Sequence, residues 1–267
     1  MIARILTVLV LAPAVIAGVI YATPLYFLVA LGIVATLCLF EYFRMVQSMG
    51  LRVQPWYGYL SLWLLFVGFQ VKWMSPLALF GGVLIMGFLA AIWRQAPMKD
   101  RVLGLMANLL GIAYVTFFLY PAALLRFDFG NQLGIEWMMI LFAVIWSGDS
   151  AALIVGKRFG RTPFAPALSP KKTNEGALGG LLAGIAAALL LQHFLFQELP
   201  LPHVIGTSLL VGIFSQLGDL AESMLKRAAE IKDSSRLIPG HGGVLDRLDS
   251  LLFGFPVLYL YLFCLYT

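Results

Sequence analysis

Trp137-Met138-Met139-Ile140-Leu141-Phe142-Ala143-Val144-Ile145-Trp146-Ser147-Gly148-Asp149-Ser150-Ala151-Ala152-Leu153-Ile154-Val155 is an almost unbroken apolar run with one carboxylate inside it. A helix of about 20 such residues spans the hydrocarbon core of a bilayer. It also satisfies its own backbone hydrogen bonds there, which an open sheet does not. Eight further apolar segments flank this one: Ile5–Ile20, Leu25–Phe43, Tyr57–Val71, Pro76–Trp93, Val102–Leu125, Ala177–Leu191, Val204–Leu225 and Leu251–Leu265. The runs are continuous and do not alternate in polarity, which excludes the pattern of a transmembrane barrel. The expected fold is therefore all-α: a polytopic membrane helix bundle of about nine transmembrane helices. The third and seventh segments are the shortest. The first, preceded by Arg4, is read as a retained helix, because no clean small-x-small cleavage site follows it.

Composition agrees. Of the 267 residues, 61% are hydrophobic and 12% charged, against about 45–50% and about 25% in soluble domains. Placing the N-terminus in the cytoplasm puts sixteen of the 18 Lys and Arg residues on that side, and only Lys72 and Arg126 on the other. Such a bias orients membrane proteins, and an odd number of spans then leaves the C-terminus outside. The basic residues are spread over five cytoplasmic segments without interleaved aromatics, so the formal charge of +5 does not indicate nucleic acid. Cys38 and Cys264 lie in separate apolar runs and read as small buried hydrophobes. Loop chemistry divides one integral membrane unit into N-terminal helices, 1–135, and a C-terminal catalytic region, 136–267.

Three polar clusters gather at the cytoplasmic side. In the first, Asp149 is costly within an apolar run, so it faces a partner or a wet cavity. The small residues around it suit helix packing as well as ligand approach. The second is Leu168-Ser169-Pro170-Lys171-Lys172-Thr173-Asn174-Glu175-Gly176. Its lysines, its hydroxyls and the free N–H groups of the coming helix make a phosphate site; a basic loop with a helix cap is the plainer alternative. The third begins with Asp219, Glu222, Ser223 and Lys226, spaced to share one helix face. It continues through Lys232-Asp233 and Pro239-Gly240-His241-Gly242-Gly243 to Asp246-Arg247-Leu248-Asp249. Carboxylates on neighbouring helices are hard-oxygen ligands for Mg²⁺. Glycine-rich backbone approaches phosphate closely. His241 reads as a hydrogen-bonding group before a base, since an anionic nucleophile needs little base catalysis.

The stretch Ser223-Met224-Leu225-Lys226-Arg227, Lys232-Asp233, Pro239, His241-Gly242-Gly243, Asp246-Arg247-Leu248-Asp249 resembles, at every position, the signature of the phosphatidate cytidylyltransferase (CDP-diglyceride synthase) family. The Asp149 segment and the Ser169–Thr173 loop match in the same order. Asn174 and Leu153 depart from the Trp and Tyr often found there. The resemblance implies a nucleotidyltransferase of a bacterial-type inner membrane, its active site facing the cytoplasm. Its substrates would be CTP and phosphatidate from the leaflet, and its products CDP-diacylglycerol and pyrophosphate. Mg²⁺ is the expected cofactor, with room for a monovalent cation, and a homodimer is one candidate assembly. The expected catalytic residues are Asp219, Asp246, Lys226, Arg247 and His241. Ser169, Lys171, Lys172, Thr173, Ser223, Gly242 and Gly243 would bind substrate. Asp219, Asp246, Asp249, Glu222 and Asp149 are the metal candidates. A related cytidylyltransferase or a polyprenol kinase-like enzyme stays open as an alternative. A secondary transporter is disfavoured, because its sites lie near the midplane between repeated halves.

Overall fold

A computed structural model of the chain describes residues 2–71, 74–238 and 242–266. Ten helices and one small hairpin lie among them: α1 Ile2–Tyr21, α2 Pro24–Ser48, α3 Pro55–Val71, α4 Pro76–Ile92, α5 Met98–Leu119, α6 Pro121–Phe127, α7 Asn131–Phe159, the strands β1 Pro163–Ala165 and β2 Ser169–Thr173, then α8 Asn174–Phe194, α9 Leu201–Ala228 and α10 Leu245–Tyr266. Each of the nine apolar segments is helical. Six stretches are long and apolar enough to cross a membrane: Pro24–Ser48, Met98–Phe127, Asn131–Phe159, Asn174–Phe194, Leu201–Ala228 and Leu245–Tyr266. Val10–Tyr21 and Pro76–Ile92 are apolar but shorter. The protein is thus a polytopic helical membrane protein.

Two departures from the expected elements have local causes. The segment read as one span, Val102–Leu125, breaks into α5 and α6 at Pro121, where the ring removes a backbone donor and crowds the preceding turn. The expected Ser169–Thr173 loop is instead strand β2, an addition to an otherwise helical fold. It pairs antiparallel with β1, with Pro163 opposite Thr173 and Ala165 opposite Ser169. The turn is closed by Leu168 N–H donating to the Ala165 carbonyl at 3.1 Å, with Pro166 at the position whose φ proline presets.

The described residues form two compact units. The first takes in Met1–Leu9, Thr23–Tyr120 and Leu225–Arg247. Its core joins α3, α4 and α5 through Tyr57, Leu65, Leu79, Val83 and Ile112. Buried tyrosines are anchored through their hydroxyls, Tyr57 donating to the Val83 carbonyl at 2.9 Å and Tyr42 to that of Ala107 at 3.0 Å. An unpaired hydroxyl in such a place would cost about 1–3 kcal/mol.

The second unit takes in Val10–Ala22, Pro121–Met224 and Leu248–Thr267. Helices α7 and α8 pack closely because small residues face each other. A Cβ on Gly180 would meet the Gly148 carbonyl at 2.7 Å, and one on Gly184 the Val144 carbonyl at 2.9 Å. Gln216 ties α9 to α8 by donating to the Ala177 carbonyl at 3.0 Å. Gly218 brings α9 against α10, since a Cβ there would strike the Asp249 carbonyl.

Arg126, one of the two basic residues that the sequence sets on the non-cytoplasmic side, is 2% exposed. Its Nε donates to the Val19 carbonyl at 2.5 Å and its Nη1 to Asn131 Oδ1 at 2.5 Å. It thereby caps the C-terminal end of α1, where carbonyls lack helical partners and the helix dipole favours a cation. Arg126→Ala is expected to lower stability by about 1–3 kcal/mol, read as a fall in the thermal unfolding midpoint of the purified protein. An unchanged midpoint would show that α1 is held by its apolar face alone.

Candidate active site

In the second unit, the predicted phosphate segment and the predicted metal helix meet. Lys172 on β2 places its ammonium 2.5 Å from Asp219 Oδ2 on α9, with both side chains about 30% exposed (29% and 31%). Ser223, one turn further along α9, has its Oγ 3.5 Å from Asp219 Oδ1. The hairpin that delivers Lys172 is secured at both ends. Thr173 caps α8, its Oγ1 accepting from Gly176 N–H at 3.2 Å. Glu175 in the first turn of α8 accepts from Arg161 N–H at 3.0 Å, and from the Thr162 N–H and hydroxyl at 3.2 and 2.7 Å. Lys171 points to solvent from the same strand, and Ser169 is half-buried.

The first unit holds a second lysine–carboxylate pair. Lys226 Nζ lies 2.7 Å from Asp246 Oδ1, with side-chain exposures of 12% and 5%. The other oxygen, Oδ2, accepts from Ser234 N–H and Gly243 N–H, and Ser234 Oγ, which shares its one proton between this oxygen and Glu41 Oε2, lies at the same 2.8 Å. The two glycines of the signature permit this. Gly242 has φ +83°, in the left-handed region, and a Cβ there would stand 2.7 Å from Asp246 Oδ2. A Cβ on Gly243 would overlap Ser234 Oγ and Glu41 Oε2. Asp246 is therefore fixed by the loop before it as well as by the first turn of α10.

The remaining predicted residues are placed as follows. Glu222 and Ser223 are buried on α9, and Asp249 is half-buried on α10. Asp149 on α7 and Arg247 on α10 are exposed. His241 lies outside the described residues.

Sequence reasoning missed Glu41. It is 0% exposed on α2. Oε1 accepts from Ser235 Oγ at 2.5 Å and Val244 N–H at 2.9 Å, and Oε2 from Ser234 Oγ at 2.8 Å and Leu245 N–H at 2.7 Å. A signal was present: Glu41 is a carboxylate in the apolar run Leu37-Cys38-Leu39-Phe40-Glu41-Tyr42-Phe43, the same exception that drew attention to Asp149.

The donor chemistry suits a hard cation. Asp219 and Asp246 each already hold an oxygen against an ammonium group. Mg²⁺ takes carboxylate oxygens of this kind, commonly one or two, and completes its shell with water and substrate phosphate. On Asp246 that oxygen would be Oδ1, shared with the Lys226 ammonium, because Oδ2 already faces two backbone N–H groups and the Ser234 hydroxyl. Among the described residues no three His, Cys, Asp or Glu side chains gather as a ligand set, so phosphate and water would supply the other positions.

The model of the Cytidylyltransferase family matches residues 2–265. A Bacillus subtilis protein named phosphatidate cytidylyltransferase is 34% identical over 262 residues, covering 91% of this chain and 94% of its own length. A Haemophilus influenzae protein of the same name is 32% identical, covering 98% and 99% of the two chains. One from Brucella suis is 40% identical over 184 residues, 68% of this chain and 66% of its own. The chain belongs to the cytidylyltransferase family and is a nucleotidyltransferase.

Proposed function

We propose that the protein is a CTP:phosphatidate cytidylyltransferase, making CDP-diacylglycerol and pyrophosphate at the cytoplasmic face of a bacterial inner membrane. The observation that carries this reading is the pair of lysine–carboxylate contacts, Lys172–Asp219 and Lys226–Asp246, set in the motifs that match the family. Two polyanions must be brought together, one soluble and one anchored in the leaflet. A site at a membrane surface, built from fixed cations and carboxylates, suits both.

The proposed reaction is a single in-line displacement. A phosphate oxygen of phosphatidate forms a bond to the α-phosphorus of CTP, the bond from that phosphorus to the bridging oxygen breaks, and pyrophosphate leaves with the electron pair. Lys171, Lys172, Lys226 and Arg247 neutralise the phosphates. Ser169, Thr173, Ser223, His241 and the Gly242-Gly243 backbone orient them. Fixed charges of this kind lower the barrier because they are in place before charge develops. Asp219 and Asp246 would hold Mg²⁺, with Asp249, Glu222 and Asp149 as further candidates. When bound, the ion would supply Lewis-acid stabilisation of the phosphoryl oxygens. The nucleophile is already anionic, so no residue need act as base.

Purified protein offered CTP with vesicles containing phosphatidate, or separately with vesicles containing a polyprenol, should convert only the first to product. Conversion of the polyprenol alone would replace the reading with that of a lipid kinase. We also propose nine spans, with the N-terminus inside and the C-terminus outside, from the sixteen-to-two division of basic residues. Cysteines placed at Gly130 or Glu198 should react with an impermeant thiol reagent in intact cells. Those at Lys171 or Arg236 should react only after permeabilisation. Labelling of Lys171→Cys from outside would reverse the orientation and remove CTP from reach of the site.

A further inference from the structure

We infer that Glu41 is a positioning residue for the transfer: its buried carboxylate clamps Ser234 and Ser235 to Val244 and Leu245 and so sets the orientation of Asp246 and, through it, of Lys226. The inference rests on the proposed roles of Asp246 and Lys226.

Glu41 is fully buried on α2, and among the described residues its four hydrogen bonds go to one short stretch of chain about two hundred residues away. Two of them, to Val244 N–H and Leu245 N–H at 2.9 and 2.7 Å, satisfy donors at the start of α10, where a helix has no backbone acceptors of its own and favours a negative charge. The other two take the hydroxyls of Ser234 and Ser235 at 2.8 and 2.5 Å. Ser234 links the two carboxylates. Its Oγ lies 2.8 Å from Glu41 Oε2 and 2.8 Å from Asp246 Oδ2, while its N–H donates to that same Asp246 oxygen at 2.8 Å. Gly243 sits in the angle between them, where any side chain would collide with both Ser234 and Glu41. The result is a continuous line: Glu41, Ser234, Asp246, Lys226. Glu41 itself touches neither lysine nor solvent, so it acts on the reacting groups only through this line. A carboxylate taken out of water is costly unless every lone pair is used. An apolar residue on α2 would have avoided that cost, and would have left the loop and the first turn of α10 unheld.

Glu41→Gln keeps the shape but turns an NH₂ group toward two donors. Each charge-assisted hydrogen bond lost corresponds to about 10- to 150-fold. The variant is expected to insert and fold with a lowered unfolding temperature, because buried charge-assisted hydrogen bonds are lost, and with kcat lowered about 10- to 150-fold while both KM values stay nearly unchanged. Hydrogen exchange at residues 242–247 should accelerate while that of α3–α5 does not. Glu41→Asp, which keeps the charge, should recover part of kcat. Wild type and Asp246→Asn are assayed alongside. An inactive wild type would refute the proposed reaction, whereas an active wild type with an inactive Asp246→Asn and a fully active Glu41→Gln would refute the positioning role alone. If Glu41→Gln does not fold, Ser235→Ala decides. It removes one donor from Glu41 without touching Asp246. A kcat loss at constant KM supports the clamp, and unchanged kcat with unchanged exchange overturns it.

Discussion

Asp246→Asn is expected to abolish nearly all turnover while leaving a folded, inserted protein. Asp246 is a junction: one oxygen faces two backbone N–H groups and the shared Ser234 hydroxyl, and the other faces Lys226 at 2.7 Å. An asparagine can keep its carbonyl toward the two N–H groups and the Ser234 hydroxyl, which preserves that side of the site. It must then present an NH₂ group to the Lys226 ammonium, donor against donor. The Lys226 contact and the oxygen proposed for Mg²⁺ are lost in the same step. Removing one preorganised group aimed at developing charge costs about 10²–10³ in kcat. Two are affected here, so a loss of at least about 10³ is expected, read as CDP-lipid formed per folded molecule. Asp219→Asn should behave similarly through loss of its contact with Lys172. Asp233→Asn, exposed in the connecting loop, should lose far less. If Asp246→Asn kept near wild-type turnover with the same Mg²⁺ dependence, the carboxylates would be scaffold only. The metal reading would then pass to Asp149 and Glu222.

The second large effect is expected from the double substitution Lys171→Ala/Lys172→Ala. Each lysine placed on a triphosphate supplies a charge-assisted contact worth about 1.5–3 kcal/mol, or roughly 10- to 150-fold. The two are not equivalent. Lys171 is exposed on β2 and free to meet substrate from solvent, whereas Lys172 is held at Asp219. Lys171→Ala should therefore act on the KM for CTP. Lys172→Ala should also disturb Asp219 and so lower kcat. The double variant should lose activity by about the product of the two, weakened further at high salt, since partly exposed charges are screened. Kinetics unchanged in the double variant would reduce the hairpin to a topology signal.

The helices were legible because the bilayer imposes a simple rule: long apolar runs become helices, and all nine did. Their ends were less so. α7 runs on from Val155 through Lys157 and Arg158 to Phe159, and α9 continues through Lys226 and Arg227. Lysine and arginine are good helix formers, and outside the lipid nothing in apolarity marks where a helix stops. The hairpin was illegible for another reason. Its strands are three and five residues long, interrupted by Pro163 and Pro170, and offer no alternating pattern; prolines are tolerated there because a two-stranded ribbon is all edge. The proposed site residues were singled out by type and spacing. Lys172 beside Asp219, and Lys226 beside Asp246, join residues singled out from sequence alone. Glu41 and Ser234 escaped because their meaning lies in a contact across the chain. Glu175 escaped because an acidic residue in a helix's first turn is ordinary.

The transfer itself is decided by where the label of CTP ends up. Purified protein in phosphatidate vesicles with Mg²⁺, given CTP labelled in either the α- or the γ-phosphate, should place α-label in the lipid product. It should release γ-label as pyrophosphate, one per lipid formed, with neither product in Asp246→Asn. Label from the γ-phosphate appearing in lipid, with CDP released, would contradict cytidylyl transfer and make the protein a CTP-dependent lipid kinase.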